Sequence, residues 1–232
     1  MILAGGLGTR LRPAYDDGPK VMAPVDGRPF LWYLLTSLAA AGFEQVILCV
    51  GYRHDEINQW LGDGSRFGLA VNYSYETEPL GTAGALRLAY SSYVSAPRFI
   101  AMNGDTLLQV DFTAMYEAHM RSGGLATMAV AAVSDTSRYG SVDIDEEGNV
   151  QQFREKSGEH VSGYINGGIY LFEDAVMDLV PPGRAVSLER EVLPLLRPQG
   201  LLAFPCEGYF IDIGVPEDLA RAQTELKERA AK

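Results

Sequence analysis

Residues 2–6 read Ile-Leu-Ala-Gly-Gly, a short apolar strand that runs without a spacer into a loop carrying Gly8, Thr9, Arg10 and Arg12. Backbone that must come close to a phosphate needs glycine, because a Cβ blocks the approach or forbids the dihedrals. Arginine is the preferred bidentate phosphate donor. The chain therefore opens with a strand followed by an anion-binding loop. A plain glycine-rich turn would account for the glycines but not for the two arginines. Two generic nucleotide loops do not fit. No lysine follows Gly6 or Gly8 as a Walker A loop requires, and the dinucleotide fingerprint has Leu11 where its third glycine belongs.

Strand and helix patterns alternate after that loop. Apolar runs at 2–4, 45–50, 70–75 and 99–103 read as buried strands. Helical patterns fall at 29–41, 53–61 and 82–92, with Pro29 suited to a first helical turn and Gly42 to a stop. This order predicts a Rossmann-like, mostly parallel α/β sheet with helices on both faces. Such sheets bind ligands at the carboxyl ends of their strands. Beyond residue 125 the pattern changes to strands at 126–133, 141–144, 150–154 and 162–172, which adds a mixed sheet; helices at 173–180, 187–196 and 216–228 complete the chain. We read the 232 residues as a single domain, with no linker, repeat or hexapeptide series.

The net charge of −11 argues against a nucleic-acid surface, which needs a basic stripe. No apolar run of 18 residues is present, so no membrane span is expected, and no signal peptide precedes the first strand. Cys49 and Cys206 form no metal-ligand or disulfide pattern and read as buried thiols of a cytoplasmic protein. His54, His119 and His160 are expected at the surface or in caps.

Two aspartates stand at the ends of apolar runs. Asp105 follows Phe99–Met102 in an Asn-Gly-Asp turn, where it reads either as a cap for local amides or as a ligand for a hard cation. Asp212 lies within Tyr209-Phe210-Ile211-Asp212-Ile213-Gly214, and burying it there calls for a partner. A metal shared with Asp105 would supply one. Between them, Glu76 and Glu78 precede Pro79-Leu80-Gly81-Thr82-Ala83-Gly84, with Thr82 placed as a helix N-cap. A tight strand-to-helix connection explains those glycines but not the two glutamates.

The opening stretch resembles the signature of the sugar-1-phosphate nucleotidyltransferases, Leu-Ala-Gly-Gly-x-Gly-x-Arg-Leu-x-Pro followed by Pro-Lys. Here these are residues 3–13 and Pro19-Lys20, with Pro24 beyond, and the resemblance continues to Pro216. It implies the nucleotide-diphospho-sugar transferase fold, with a nucleotide-binding part over about 1–125 and a sugar-phosphate-binding part over about 126–232. It implies nucleotide contacts from Leu3, Ala4, Gly5, Gly6, Gly8, Thr9, Arg10, Lys20, Glu76, Gly81 and Gly104. It assigns the sugar phosphate to Lys156, and the sugar side to Tyr139, Gly140, Glu155 and Asn166. Asp105 and Asp212 then ligate Mg²⁺, and Arg10, Lys20, Asp105, Lys156 and Asp212 carry catalysis. Arg12 stays open between a phosphate contact and a surface residue.

In such relatives the loop after Glu76 faces the base, and pyrimidine users often carry an amide at that position. A carboxylate suits the two adjacent donors of guanine. The implied partners are GTP and a sugar 1-phosphate, with an oligomer possible. Gly-Arg-Pro-Phe-Leu (27–31) and Val50-Gly51-Tyr52 look most like guanylyltransferases acting on D-glycero-α-D-manno-heptose 1-phosphate. Mannose 1-phosphate is the near alternative. Leu61-Gly62-Asp63-Gly64-Ser65 also resembles the N-acetylmuramate 1-phosphate uridylyltransferases. A non-catalytic sugar-nucleotide-binding subunit is the rival of another class, and the presence of Arg10, Lys20, Asp105 and Asp212 favours an enzyme.

Overall fold

The computed structural model describes residues 1–6, 8–154 and 160–230. β1 (Ile2–Leu3) leads through the glycine loop and a tight turn at Lys20–Met22 to a small ribbon of β2 (Pro24–Val25) and β3 (Arg28–Pro29). Then follow α1 (Phe30–Ala40), β4 (Gln45–Val50), α2 (His54–Leu61), β5 (Ala70–Tyr75), α3 (Gly81–Tyr93) and β6 (Arg98–Asn103). β1 lies between β4 and β6, parallel to both, and β5 adds in parallel to β4. Helix α1 forms because Phe30, Leu31, Leu34, Leu35 and Leu38 fall on one stripe, and all five are buried. Pro29, the expected first residue, stands just outside it as the N-cap, so the helix starts one residue later than expected.

The second half extends the same sheet with antiparallel strands. After β7 (Thr106–Leu108) and α4 (Phe112–Ser122) come β8 (Ala126–Val133), β9 (Ser141–Ile144), β10 (Val150–Arg154) and β11 (Gly163–Glu173). β11 pairs with β8 along its length, while on its other edge Tyr164 meets β9 and Ile169–Glu173 meet β6. The change of partner coincides with a bulge between Asn166 and Ile169, which re-aims the strand locally. A short α5 (Leu193–Leu196), β12 (Leu201–Cys206) on the edge of β8, β13 (Phe210–Asp212) and α6 (Pro216–Ala230) follow.

Alternate residues of each strand feed two cores. Leu48 and Met102 pack with α1, α2 and α6 on one face. Cys49 and Ala101 pack with α3 and the 174–196 segment on the other. Away from the strand ends, Trp32 and Trp60 line a groove of about 580 Å³ between α1 and the 65–67 turn. The guanidinium carbons of Arg28 and Arg66 lie over these two rings, each 4.0 Å from the ring centre.

Several sequence expectations need correction. α4 was not expected, although Asp111 caps it by accepting from the Ala114 amide at 2.9 Å and Gly123 ends it with a positive φ. β12 was also not expected. The 173–180 helix is a 3₁₀ segment (Asp174–Leu179), and the 187–196 helix opens as a π-turn over Leu188–Val192. His119 is not a surface residue. It is 1% exposed, with its ring nitrogens 2.9 Å from Thr127 Oγ1 and 3.1 Å from Glu173 Oε1. A buried imidazole tolerates this because both nitrogens have partners.

Both cysteines are free and buried, as expected. Burial pushes the Cys49 thiol up to about 12 and the Cys206 thiol up to about 11. The thiolate is the reactive form, so a disulfide reagent at pH 8 should titrate neither thiol rapidly in the folded protein and both after denaturation. A rapid stoichiometric reaction in the native state would contradict this packing.

Candidate active site

The carboxyl ends of β1, β4, β5 and β6 open on a cavity of about 700 Å³. Its wall includes Leu3, Gly5, Gly6 and Arg10 from the first loop, and Glu76, Gly81 and Thr82 from the β5–α3 connection. Asn103 and Asp105 enter from the end of β6, and Glu189 from the far side. A second cavity of about 470 Å³ is lined by Arg10, Arg138, Tyr139, Glu189, Asp212 and Asp218 among others. Arg10 and Glu189 border both.

Asp105 and Asp212 lie far apart in sequence, and a two-stranded ribbon joins them. β13 pairs antiparallel with β7 so that Asp212 stands opposite Thr106, and the Ile213 amide donates to the Asp105 carbonyl at 2.9 Å. Lys20 completes the cluster, its Nζ 2.5 Å from Asp105 Oδ2 and 3.8 Å from Asp212 Oδ1. One ammonium thus faces two carboxylates. Burial and the Asp105 charge raise the Asp212 carboxyl above the usual range, against the opposing pull of Lys20 and the Gly214 amide. The cluster is short of positive charge, and its donors are all oxygen, which suits a hard divalent cation. Among the described residues no three His, Cys, Asp or Glu side chains converge on one point. Such an ion would therefore complete its shell with ligand oxygens and water.

Glu76 follows β5, which is separated from β6 in the sheet by β1 and β4. Its amide donates to the Val50 carbonyl at 2.9 Å, and its Oε2 accepts from the Leu80 amide at 2.9 Å. Burial raises its carboxyl above the ordinary range, and the Leu80 hydrogen bond opposes this. Oε1 leans over the first loop, so closely that a Cβ on Gly5 would sit 2.6 Å from it. A side chain at Gly5 would displace the Glu76 carboxylate and press on the Gly51 amide nitrogen, 3.3 Å from that Cβ.

The remaining expected site residues are placed as follows. Ala4 is buried, its amide donating to the Cys49 carbonyl at 2.8 Å, and the Gly104 amide donates to the Leu3 carbonyl at 2.9 Å. Both support the strand ends and do not line the large cavity. Gly8 and Thr9 line neither cavity, and Gly8 packs against Lys20 with a φ of +60°. Tyr139 lines the smaller cavity. The Gly140 amide closes a turn to the Thr136 carbonyl at 3.3 Å. Asn166 sits in the β11 bulge, its Oδ1 accepting from the Gly168 amide at 2.9 Å and its amide nitrogen donating to the Tyr170 hydroxyl at 2.7 Å. Glu155 and Lys156 lie outside the described residues.

Thr82 is not the N-cap. The helix begins at Gly81, whose φ of +67° suits glycine, and the Thr82 hydroxyl accepts from the Leu188 amide at 2.7 Å. Arg138 and Glu189 were missed because neither belongs to a local motif. Arg138 is held by a bidentate pair to the buried Asp218, at 3.2 and 2.8 Å.

A Cβ at Gly81 would fall 2.6 Å from the Val186 carbonyl oxygen, a backbone atom, whereas one at Gly6 meets nothing within 4 Å. Gly81→Ala should therefore cost about 2 kcal/mol or more, a fall of roughly 4–8 °C in Tm. Gly6→Ala should leave Tm unchanged. Equal melting of the two variants would contradict the placement of the β5–α3 connection.

Known proteins resemble this chain in sequence and in fold. The family model described as nucleotidyl transferase matches residues 1–229. The chain is 39% identical over 228 residues to the D-glycero-α-D-manno-heptose 1-phosphate guanylyltransferase of Aneurinibacillus thermoaerophilus, covering 98% of this chain and 97% of that one. It is 38% identical over 229 residues to the mannose-1-phosphate guanylyltransferase of Mycobacterium tuberculosis, covering 97% of this chain but only 64% of that longer protein. The crystal structure of HddC from Yersinia pseudotuberculosis complexed with GMP-PN superimposes with a TM-score of 0.87 at 36% identity, over 97% of both chains. With this match along nearly its whole length, the chain belongs to the nucleotidyl transferase family.

Proposed function

We propose that this protein transfers a guanylyl group from GTP to a sugar 1-phosphate, with D-glycero-α-D-manno-heptose 1-phosphate favoured, and releases pyrophosphate in the cytoplasm. The observation that carries this reading is a single cavity lined by Glu76 just after β5, by Asp105 just after β6 and by Arg10, with β1 and β4 lying between those two strands. That spacing suits a nucleotide lying lengthwise, base against Glu76 and phosphates toward Arg10. The similarity to two guanylyltransferases supports the choice of base. Their near-equal identities keep mannose 1-phosphate as the second acceptor to test.

The chemistry asks little of the side chains beyond position and charge. A phosphate monoester has a second pKa of about 6 and is already a nucleophilic dianion at neutral pH. No general base is needed, and catalysis reduces to alignment and neutralisation at the α-phosphorus. Arg10, bordering both cavities, would bind phosphate oxygens where nucleotide and sugar phosphate meet. Lys20 would neutralise the carboxylate pair and, with a cation bound, turn toward the triphosphate. Asp105 and Asp212 would hold Mg²⁺, which supplies charge neutralisation on the nucleotide oxygens. Asn166 and Tyr139 would face the sugar, with Glu155 and Lys156 assigned to the sugar and its phosphate on the family resemblance. The nucleotide then belongs to residues 1–125 and the sugar phosphate to 126–232.

Asp105→Asn and Asp212→Asn should each fold normally and lose about 2–4 kcal/mol of transition-state stabilisation. Chelation should abolish turnover and added Mg²⁺ restore it; undiminished activity in excess chelator would refute the metal assignment. Glu76→Gln replaces an acceptor with a donor aimed at the donors of guanine. GTP use should fall by about 1–3 kcal/mol, with less effect on other triphosphates. Pyrophosphate release from four triphosphates against heptose, mannose, glucose and N-acetylated sugar 1-phosphates checks the whole reading. A preference for UTP or dTTP would overturn the guanylyl assignment.

A further inference from the structure

Glu189 borders both cavities, yet neither the catalytic scheme nor the base contact uses it. It stands on the π-turn at Leu188–Val192, a distortion that recurs at functional sites. Two hydroxyls hold it by one oxygen only. Thr82 accepts from the Leu188 amide at 2.7 Å and donates to Glu189 Oε2 at 2.8 Å. Ser187 accepts from the Arg190 amide at 3.2 Å and donates to the same oxygen at 3.1 Å. Each hydroxyl has its acceptor side taken by an amide, so each proton must point at the carboxylate. Among the described residues Oε1 accepts no hydrogen bond, and no cation pairs with Glu189. The side chain is thus oriented by Oε2 and presents Oε1.

Three observations narrow what Oε1 meets. A free carboxylate repels phosphates, so its ligand atom is a neutral donor. Glu189 does not converge with Asp105 and Asp212 on a common cation point. And it is close to the buried Tyr170 phenol: burial raises that phenol, and the Glu189 charge raises it further. Tyr170 is hydrogen-bonded to Asn166, the residue expected at the sugar hydroxyls.

We propose that Glu189 is a specificity-determining residue that accepts hydrogen bonds from hydroxyls of the sugar 1-phosphate, with Thr82 and Ser187 as its positioning residues. This rests on the sugar-nucleotidyltransferase reading above, but not on which base or sugar is used. A carboxylate whose unengaged oxygen faces ring hydroxyls rejects substrates lacking them, because its own desolvation is then uncompensated.

The test uses Glu189→Gln, whose carbonyl oxygen still accepts from Thr82 and Ser187 while its amide turns a donor toward the cavities. Kinetics are run with the triphosphate and sugar 1-phosphate that wild-type protein uses best, so a different base or sugar preference leaves the test intact. KM for the sugar 1-phosphate should rise at least tenfold, with KM for the triphosphate and Tm unchanged. In a series of monodeoxy sugar 1-phosphates, wild type should lose at least tenfold in kcat/KM on one analogue. Glu189→Gln should be indifferent to that same hydroxyl. Thr82→Val should raise the same KM by a smaller factor. A rise confined to the triphosphate KM, relieved by a 2′-deoxynucleotide, would place Glu189 at the ribose and overturn the proposal. Equal sensitivity of both enzymes to every deoxygenation would overturn it as well.

Discussion

Lys20 between Asp105 and Asp212 is the contact on which the rest of the site depends. Two carboxylates brought together at the edge of a core repel, and the ammonium that bridges them is only 11% exposed. A buried charge stripped of its partner is costly, so the Lys20 ammonium needs at least one of the two carboxylates beside it. The three groups also tie distant segments together: Lys20 closes the first loop, Asp105 lies in the turn after β6, and Asp212 ends β13. The fold places the negative pair where the parallel strands terminate, and the first loop supplies the positive charge. Ligand binding at this point therefore acts on a cluster in which one ammonium faces two carboxylates.

Much of the frame was legible because burial on both faces writes itself as unbroken apolar runs. Val46-Ile47-Leu48-Cys49-Val50 and Phe99-Ile100-Ala101-Met102 can be little else than interior strands. The stripe of α1 is equally plain. By contrast, α4 fully buries only Met115 and His119 and leaves Tyr116 and Met120 exposed, so its periodicity is faint and its caps are the better signal. Thr82 read as a cap because a threonine before an apolar run usually is one. Its hydroxyl was instead taken by an amide 106 residues away, a contact no local pattern encodes.

The site shows the same division. Gly5, Arg10 and Lys20 sit in the opening signature and Asp105 and Asp212 stand at the ends of apolar runs, whereas Glu76 pointed to a base only through the family resemblance. What joins Asp212 to Asp105 is the β7–β13 pairing, which two three-residue strands could not announce in advance. Arg138 and Glu189 are single charges amid ordinary sequence. Their place in the cavity walls comes from the fold, which holds Arg138 on Asp218 and Glu189 on two hydroxyl donors.

The tryptophan groove has a practical meaning for anyone who studies this protein in solution. Both tryptophans of the chain lie in it, under Arg28 and Arg66, and neither lines the cavity at the strand ends. Intrinsic tryptophan emission is therefore an optical window on the outer face of α1 and α2. It reports on how that face packs and unfolds, and stays dark to events at the opposite edge of the sheet unless they are mechanically transmitted across it.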